Sequence, residues 1–429
     1  MPPPIPPAPP APRGDHGLPT QHYLESRGMV AVSPPLRSSS VTRAIGDPFL
    51  YYLVDRLGLV PIFSLSRALS TGSWFHARAE LMAFDTPGAP LPPEERARLE
   101  ARLNNRLAEL RQLSAYAGLS ADKTNQILAD EKSDFDLAMA TYDVSFLRLS
   151  LPGHRPGTTV ASYLNAPHLR TLSCEKLYTV ECPNPSGSGT ITLCCQPDRL
   201  VYNEQAGNVW IWDYKTCAES PTVRLQTCTV EQQTFQYMHV IHTLLQENPD
   251  ALGVPRGTTL GGMGHIAAQK PTIRLSGNDR DFEIETRTLT RGPNKGQERT
   301  EKNYYGEPKF SNYLRRVADW LQGTGEYAHE APAREADPCI NMSTVYFAAI
   351  DKGQWARYHA RIQQTAKYAT CHPWPCNFPD NPSSLRGQGG KLSPYLPFYT
   401  EPVEKWPDIV ARDFLIRHRD EALLESAHV

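Results

Sequence analysis

The amino-acid sequence predicts an α/β fold in which a mixed central sheet is flanked by helices, with a helical insertion before the main strands. Two short segments, 191–195 and 209–216, carry β-branched and aromatic residues and are separated by turn-forming residues at 203–208. Apolar residues recur at helical spacing after the second segment and in a long leucine-rich region before the first. Helical patterns on both sides of paired strands indicate helices packed on a sheet.

Composition sets limits on the class of protein. The chain has 429 residues, 40% of them apolar, which is enough to bury a substantial core. Its length allows two or three structural units. Its formal net charge is −2, so any surface that binds nucleic acid must be a local patch. No run of about eighteen apolar residues and no signal-like N-terminus occurs, which predicts a cytoplasmic protein without membrane contact. The nine cysteines favour reduced thiols over disulfides.

The chain divides into five predicted segments. The first is rich in proline, which favours polyproline II or disorder over a packed core. In the third, leucines recur at spacings of three and four, which predicts an amphipathic helix with its arginines in solvent and a second helix at 121–142 returning beside it. The segments are a disordered tail at 1–37, an N-terminal helical part at 38–92, a helical insertion at 93–168, a core at 169–330 and a helical or irregular C-terminal region at 331–429.

The second predicted strand carries the residues that point to chemistry. Trp212 and Tyr214 alternate with Asp213 and Lys215, so the acid and the amine share one face. A second carboxylate, Asp198, follows the first strand. Two nearby carboxylates repel each other unless a cation lies between them, and Mg²⁺ and Mn²⁺ prefer oxygen ligands. A lysine beside them can orient water for attack on phosphorus, although an ordinary Asp–Lys pair on a surface hairpin explains these residues equally well.

A helix is predicted directly after this strand. Residues 229–232 match a capping box, and an apolar stripe then follows at Phe235, Met238, Ile241 and Leu245. Gln233 and Tyr237 are four residues apart, so they share another face of the helix. An isolated pair of this kind is usually only the polar edge of a helix.

The remaining elements are predicted from local pattern alone. A first core strand spans 170–181, and its Glu175 is not expected to bind metal. The glycine-rich residues 257–264 lack the Lys-Ser/Thr of a phosphate loop and are predicted to form an ordinary loop, and 291–299 a solvent loop. Two strands that would extend the sheet follow the glycines, at 265–275 and 281–289. Three helices are predicted toward the C-terminus, at 310–321, 354–368 and 409–421.

These motifs resemble the signature of the PD-(D/E)xK nuclease superfamily. Pro197-Asp198 and, about fifteen residues later, Asp213-Tyr214-Lys215 are similar to its two-part motif. The Q-x-x-x-Y helix resembles the additional motif of the RecB-type branch, which includes phage and CRISPR-associated exonucleases. Residues 70–76 look like that branch's first motif, in which a glycine enters a helix that carries a metal-binding histidine. The resemblance covers about residues 38–246 and, more faintly, 378–399.

The resemblance implies a restriction-endonuclease-like fold and Mg²⁺- or Mn²⁺-dependent hydrolysis of DNA phosphodiester bonds. The activity it implies is that of an exonuclease in phage or bacterial recombination and repair. Besides DNA, the implied partners are an annealing protein, a helicase or a single-strand-binding protein. The implied location is the cytoplasm of a bacterial or phage-infected cell.

The resemblance also assigns roles to individual residues. Lys215 would orient the attacking water and stabilise the charge that develops on the phosphate. Gln233 and Tyr237 would hold the DNA backbone or brace the lysine. Metal binding is assigned to His76, Asp198, Asp213 and the main-chain carbonyl of Tyr214.

The sequence argues against the iron–sulfur cluster that some members of this branch hold. Where those members have a cysteine before a proline, this chain has Asp47. Three later positions expected to carry cluster cysteines hold other residues, namely Leu385, Leu392 and Tyr399. The cysteines nearest to them lack a typical metal-binding spacing: Cys339, Cys371 and Cys376.

Two other functions fit parts of the pattern. One is a catalytically silent scaffold that binds nucleic acid in recombination, although such a protein has no physical reason to keep clustered acids. The other is a hydrolase that acts on something other than nucleic acid, but the chain has no G-x-S-x-G nucleophile motif.

Overall fold

A computed structural model describes residues 21–27, 29–33, 35–61, 67–85, 91–228, 230–288, 291, 297–370 and 393–416. The helices are α1 (Gln21–Ser26), α2 (Ser38–Gly46), α3 (Pro48–Tyr51), α4 (Arg67–Ala79), α5 (Pro93–Tyr116), α6 (Ala121–Ser145), α7 (Val160–Leu164), α8 (Pro221–Cys228), α9 (Gln232–Glu247), α10 (Phe310–Gln322), α11 (Ala331–Ala336), α12 (Lys352–Thr370), α13 (Leu396–Thr400) and α14 (Trp406–Asp413). The strands are β1 (Leu59–Pro61), β2 (Leu169–Cys174), β3 (Tyr178–Pro183), β4 (Thr190–Cys195), β5 (Arg199–Asn203), β6 (Asn208–Cys217), β7 (Thr259–Gln269), β8 (Asp281–Thr288), β9 (Glu298–Tyr305), β10 (Ile340–Tyr346) and β11 (Phe414–Ile416).

A mixed sheet of five strands lies at the centre, in the order β10-β7-β6-β5-β2. β6 and β7 are parallel, and the other neighbours are antiparallel. A parallel pair needs a long crossover connection, and α8 and α9 form it. One face of the sheet packs against α4 and α6, and the other packs against α9. The α/β fold class predicted from the sequence is therefore confirmed.

The hairpin around the two carboxylates differs from the predicted one. The turn at 203–208 is correct, but the strand that pairs with β6 is β5. The predicted partner, 191–195, forms β4 and pairs with β3 in a separate two-stranded sheet. β5 is short and begins with a charged residue, Arg199, which hides its strand pattern. Arg199 is nevertheless buried, because its guanidinium donates hydrogen bonds to Thr171 and Asn165.

The single strand predicted for 170–181 is also wrong, because the segment forms both β2 and β3. The chain leaves one sheet for the other at Glu175, which has a φ of 49°. Leu177, an apolar residue of the predicted strand, lies just after this bend and is 46% exposed. Local apolar pattern does not reveal such a change of sheet, because both halves have strand-like sequences.

The glycine-rich residues after 257 form a central strand instead of a loop. They lie in β7, between β6 and β10, where Gly261 and Gly264 leave room for the rings of Trp210 and Trp212. A Cβ atom added at Gly264 would lie 2.6 Å from Cη2 of Trp212. The glycines therefore serve packing, which a search for phosphate loops cannot detect.

The later strands only partly agree with prediction. β8 matches the predicted 281–289, but it pairs with β9 in a separate ribbon and does not extend the sheet. β10 completes the central sheet, although it lies beyond the predicted end of the core at residue 330. The pairing partners of β8 and β10 lie in other segments of the chain, so the local sequence does not show them. Most of the loop predicted at 291–299 lies outside the described residues.

Part of the predicted disordered tail belongs to the core. Leu24, Met29 and Leu36 are buried, and the backbone N–H of Leu36 donates to the carbonyl of Thr192 in β4. These three apolar side chains follow the proline-rich stretch and explain why the described residues around them pack on the core. Residues 1–20 lie outside the described part of the chain.

The segment predicted to be a helical insertion forms the antiparallel pair α5 and α6. α6 packs along α4 and thereby supports the sheet. The predicted leucine stripe faces inward, with Leu99, Leu103, Leu110 and Leu113 buried. The arginines are not all in solvent, because Arg106 is buried and bonds to Glu109.

Helix ends were predicted less well than helices. α10 and α12 are confirmed, whereas α14 ends at Asp413 and the chain turns into β11. The N-cap of α9 is Glu231, with no side-chain cap, so the predicted capping box is wrong. Similarly, α2 follows Arg37 without a side-chain cap. None of the helices formed by the described residues has the length and apolar character needed to cross a membrane.

Candidate active site

A cleft of about 890 Å³ opens where β6 meets α4 and α9. Every residue to which the sequence assigned a site role lines it. Its lining includes Arg37, Ser73, His76, Arg102, Glu175, Asp198, Asp213, Tyr214, Lys215, Gln233 and Tyr237.

Three side chains from distant parts of the chain form one group of metal donors. His76 Nδ1 lies 3.1 Å from Asp198 Oδ1 and 3.2 Å from Glu175 Oε1. One donor atom from each of the three lies within 4.8 Å of the others. The group therefore offers one imidazole nitrogen and two carboxylates toward a common point.

Each member of this group is held by its own element. His76 lies on α4, which α6 supports from behind. Asp198 directly precedes β5, and its Oδ2 accepts a hydrogen bond from the backbone N–H of Tyr214. Glu175 follows β2, and its backbone N–H donates to the carbonyl of Pro197 at 3.1 Å. Backbone contacts thus fix both carboxylates relative to β6.

Glu175 adopts a backbone conformation that costs energy. Within the described ranges it is the only residue other than glycine with a positive φ. A left-handed residue with a Cβ costs about 1–3 kcal/mol and persists only where its surroundings impose it. Gln196 contributes to this constraint by donating to the Glu175 carbonyl at 3.0 Å. The strain places the Glu175 carboxylate beside His76.

The electrostatics of this group favour a bound cation. Burial alone lowers the pKa of His76, but the charges and hydrogen bonds of Asp198 and Glu175 outweigh burial and raise the pKa to about 10. The pKa of Glu175 is also raised, chiefly by burial and in spite of His76. Two carboxylates here require a nearby positive charge, which a proton on His76 supplies and a divalent ion would supply in its place. The donor set therefore fits a divalent metal.

A second group surrounds Asp213, which is 1% exposed. Its Oδ1 accepts from Lys215 Nζ and from Gln233 Nε2, both at 2.8 Å. Its Oδ2 lies 3.1 Å from Nδ1 of His265. Burial alone would raise the pKa of Asp213, but Lys215 and His265 outweigh it and hold the pKa below its usual range. Asp213 is therefore ionised in spite of its burial.

Lys215 is the ammonium group of the cleft, and its side chain is 21% exposed. Burial opposes its charge, but Asp213 and Asp198 raise its pKa above the ordinary value. Gln233 holds it from the other side, with Oε1 2.9 Å from Nζ. The lysine is thus a fixed cation with part of its surface open to the cleft.

Tyr237 lies one helical turn after Gln233, as the predicted Q-x-x-x-Y pair requires. Its hydroxyl donates to the carbonyl of Gln196 at 2.9 Å, and the same glutamine also bonds to Glu175. Helix α9 therefore contacts both groups of the site, Asp213 through Gln233 and the Glu175 segment through Tyr237.

The structure brings the predicted residues into one cleft but divides them into two groups. His76 and Asp198 are joined by Glu175, which the sequence analysis had set aside as a ligand. Asp213 lies in the second group with Lys215. His265 had no predicted role, because a lone histidine in a strand carries no motif. The carbonyl of Tyr214 lines the same cleft, and its ligand role remains a prediction.

The positions compared above with cluster cysteines have other contacts. Asp47 caps α3 by accepting from the N–H of Leu50 at 3.0 Å. Its other oxygen accepts from the hydroxyl of Tyr399 at 2.7 Å. This bond joins the N-terminal helices to the C-terminal segment. Cys339 is buried and its thiol donates to Oε1 of Gln269. The other positions fall outside the described residues, namely Cys371, Cys376, Leu385 and Leu392.

Comparison with known proteins agrees with this geometry. A model of the PD-(D/E)XK nuclease superfamily matches residues 39–341, which is well over half of the chain. No curated protein gives a match. The matched range contains His76, the Glu175 bend, both carboxylate segments and most of the central sheet. The chain therefore belongs to the PD-(D/E)XK nuclease superfamily.

Proposed function

We propose that this chain is a Mg²⁺- or Mn²⁺-dependent nuclease that hydrolyses DNA phosphodiester bonds from an end, as RecB-type exonucleases do. The observation that carries the proposal is the set of His76, Glu175 and Asp198 donors in the same cleft as the Asp213–Lys215 pair. The contact of Gln233 with Lys215 supports the RecB-type assignment, because it gives the Q-x-x-x-Y glutamine a role beside the lysine. Recombination and repair, with an annealing protein, helicase or single-strand-binding protein as partner, is the setting that this resemblance favours.

His76, Glu175 and Asp198 would hold the metal, and Asp213 and the carbonyl of Tyr214 would complete its surroundings. Carboxylates suit Mg²⁺ and Mn²⁺, while imidazole is typical of later transition metals, so the mixed set favours Mn²⁺ of the two. A bound ion of this kind would polarise the phosphate and lower the pKa of a nearby water.

The second group would act on the phosphate itself. Lys215 has a hydrogen-bonded and fixed ammonium group, so it can donate to a phosphate oxygen and to the attacking water. Asp213 keeps that ammonium in place without taking its proton. Arg37 and Arg102 also line the cleft and would contact the DNA backbone, although Arg102 is paired with Glu80.

The first expected result concerns the activity itself. With Mn²⁺, the protein should degrade linear DNA labelled at its 5′ or 3′ end and leave a closed circle intact. With EDTA it should degrade neither. Single-stranded and duplex substrates are run side by side to establish strand preference and polarity. Cleavage of the circle would replace the exonuclease assignment with an endonuclease, and binding without cleavage would indicate the catalytically silent scaffold.

A second expected result tests Glu175. Glu175→Gln keeps the shape of the side chain but removes one of the two charges beside His76. The dissociation constant for Mn²⁺, measured by calorimetry, should rise at least about tenfold, or ~1.4 kcal/mol. Glu181→Gln is the matched control, because that carboxylate lies exposed on β3 and bonds to Thr192 outside the cleft. Equal Mn²⁺ affinity in the wild type and both variants would remove Glu175 from the metal site.

A further inference from the structure

Strand β7 contributes a buried histidine to the site, although neither the motifs nor the donor group includes it. His265 is fully buried and lies in register with Asp213 on the neighbouring parallel strand. Register partners in a sheet point to the same face, so the imidazole meets the Asp213 carboxylate from the side.

Both ring nitrogens of His265 have partners. Nδ1 lies 3.1 Å from Asp213 Oδ2, and Nε2 lies 3.1 Å from Oγ1 of Thr234. Thr234 is fully buried on α9, next to Gln233, and its hydroxyl donates its one hydrogen to the carbonyl of Cys228. An ionised carboxylate only accepts hydrogen bonds, so Nδ1 carries a hydrogen. The ring is thereby fixed between β6, which carries Asp213, and the first turn of α9.

The two oxygens of Asp213 have different tasks. Oδ1 meets both groups that reach the cleft, Lys215 and Gln233, while Oδ2 meets His265 alone among the hydrogen-bonding side chains described. Holding Oδ2 sets the rotation of the carboxylate and therefore the direction of Oδ1. The direction of Oδ1 in turn sets the position of the Lys215 ammonium.

We propose that His265 is a positioning residue for the nuclease reaction. Its ring links Oδ2 of Asp213 to Thr234 of α9, and so orients Asp213 and, through it, Lys215. The inference rests on the proposed function, because it supposes that Asp213 and Lys215 act on phosphate. A histidine that served only to fill the core would need no donor toward Asp213.

The test compares His265→Ala, His265→Asn and His265→Gln in the full chain. An Asn amide occupies roughly the place of Nδ1 and can still donate to Asp213, whereas a Gln amide reaches the place of Nε2 and cannot. A purely structural role favours Gln, because Gln is closer to His in volume. A positioning role predicts instead that His265→Asn is the more active variant. The order of the two variants in activity therefore decides between the two roles.

Mn²⁺ affinity by calorimetry and the separate kcat and KM for linear DNA are the measurements. His265→Ala and His265→Gln should each lower kcat and Mn²⁺ affinity about 10–100-fold with KM unchanged, and His265→Asn should recover most of both. If His265→Ala does not fold, the Asn and Gln variants still decide. The inference alone would be overturned if the His265→Gln variant had a kcat and Mn²⁺ affinity equal to or higher than those of His265→Asn. It would also be overturned if all three variants had the wild-type values. A wild type that neither cleaves DNA nor binds Mn²⁺ would overturn the proposed function and the inference with it.

Discussion

Lys215→Ala should lower the kcat for DNA cleavage by about 10²–10³-fold, the loss typical of removing one donor that stabilises developing charge. The ammonium is the cation fixed between Asp213 and Gln233 at the cleft, and no methyl group can replace its hydrogen bonds. Mn²⁺ binding should persist, because His76, Glu175 and Asp198 are untouched. Rates with end-labelled DNA at saturating Mn²⁺, together with calorimetry, measure both effects.

Lys309→Ala is the matched control for this substitution. Lys309 also pairs with an aspartate, Asp281, but the pair is on the surface at the β8–β9 ribbon. Its loss should leave cleavage unchanged. Asp213 retains Gln233 and His265 when Lys215 is removed, so circular dichroism should show a folded protein. A folded Lys215→Ala variant with wild-type kcat would exclude the lysine from the reaction.

Gly264→Ala should destabilise the fold by about 1–3 kcal/mol, the usual cost of forcing extra volume into a packed core. The added methyl group would meet three carbons of the Trp212 ring, the most distant of them at 2.6 Å. Trp212 is 3% exposed and packs edge-on against Tyr163, so its ring has little room to move. β7 is a central strand of the sheet, and it cannot shift without disturbing β6 and β10. Urea unfolding of the two proteins measures the loss.

Gly187→Ala provides the control, because an added Cβ at Gly187 meets no heavy atom within 4 Å. It should change the free energy of unfolding by less than about 0.5 kcal/mol, as surface substitutions usually do. In a Trp212→Leu background the crowding ring is absent, so Gly264→Ala should cost less than in the wild type. Equal costs in the two backgrounds would show that the ring is not the cause.

The local sequence accounts for much of the site around β6. Strand alternation alone places Asp213 and Lys215 on one face and Trp212 and Tyr214 on the other, and the structure has this arrangement. Helical spacing similarly predicts the buried stripe of α9 and the shared face of Gln233 and Tyr237. Such patterns depend on neighbours two to four residues away, which a sequence displays directly.

The pairing of distant segments does not follow from the local sequence. β5 was missed because its first residue is an arginine, and its burial depends on partners near residues 165 and 171. Leu24, Met29 and Leu36 were excluded with the proline-rich tail, although all three are buried in the core. β10 was assigned to another region because its place beside β7 depends on a partner about eighty residues earlier.

The sequence by itself determined the fold class, the order of the nuclease motifs and the face of β6 that carries an acid and an amine. Only the tertiary structure decided that Glu175 joins His76 and Asp198, and that His265 meets Asp213 across two parallel strands. The reason is physical: periodicity records which residues share a face of one element. Which elements then meet depends on packing, register and a strained bend, and those arise only when the whole chain folds.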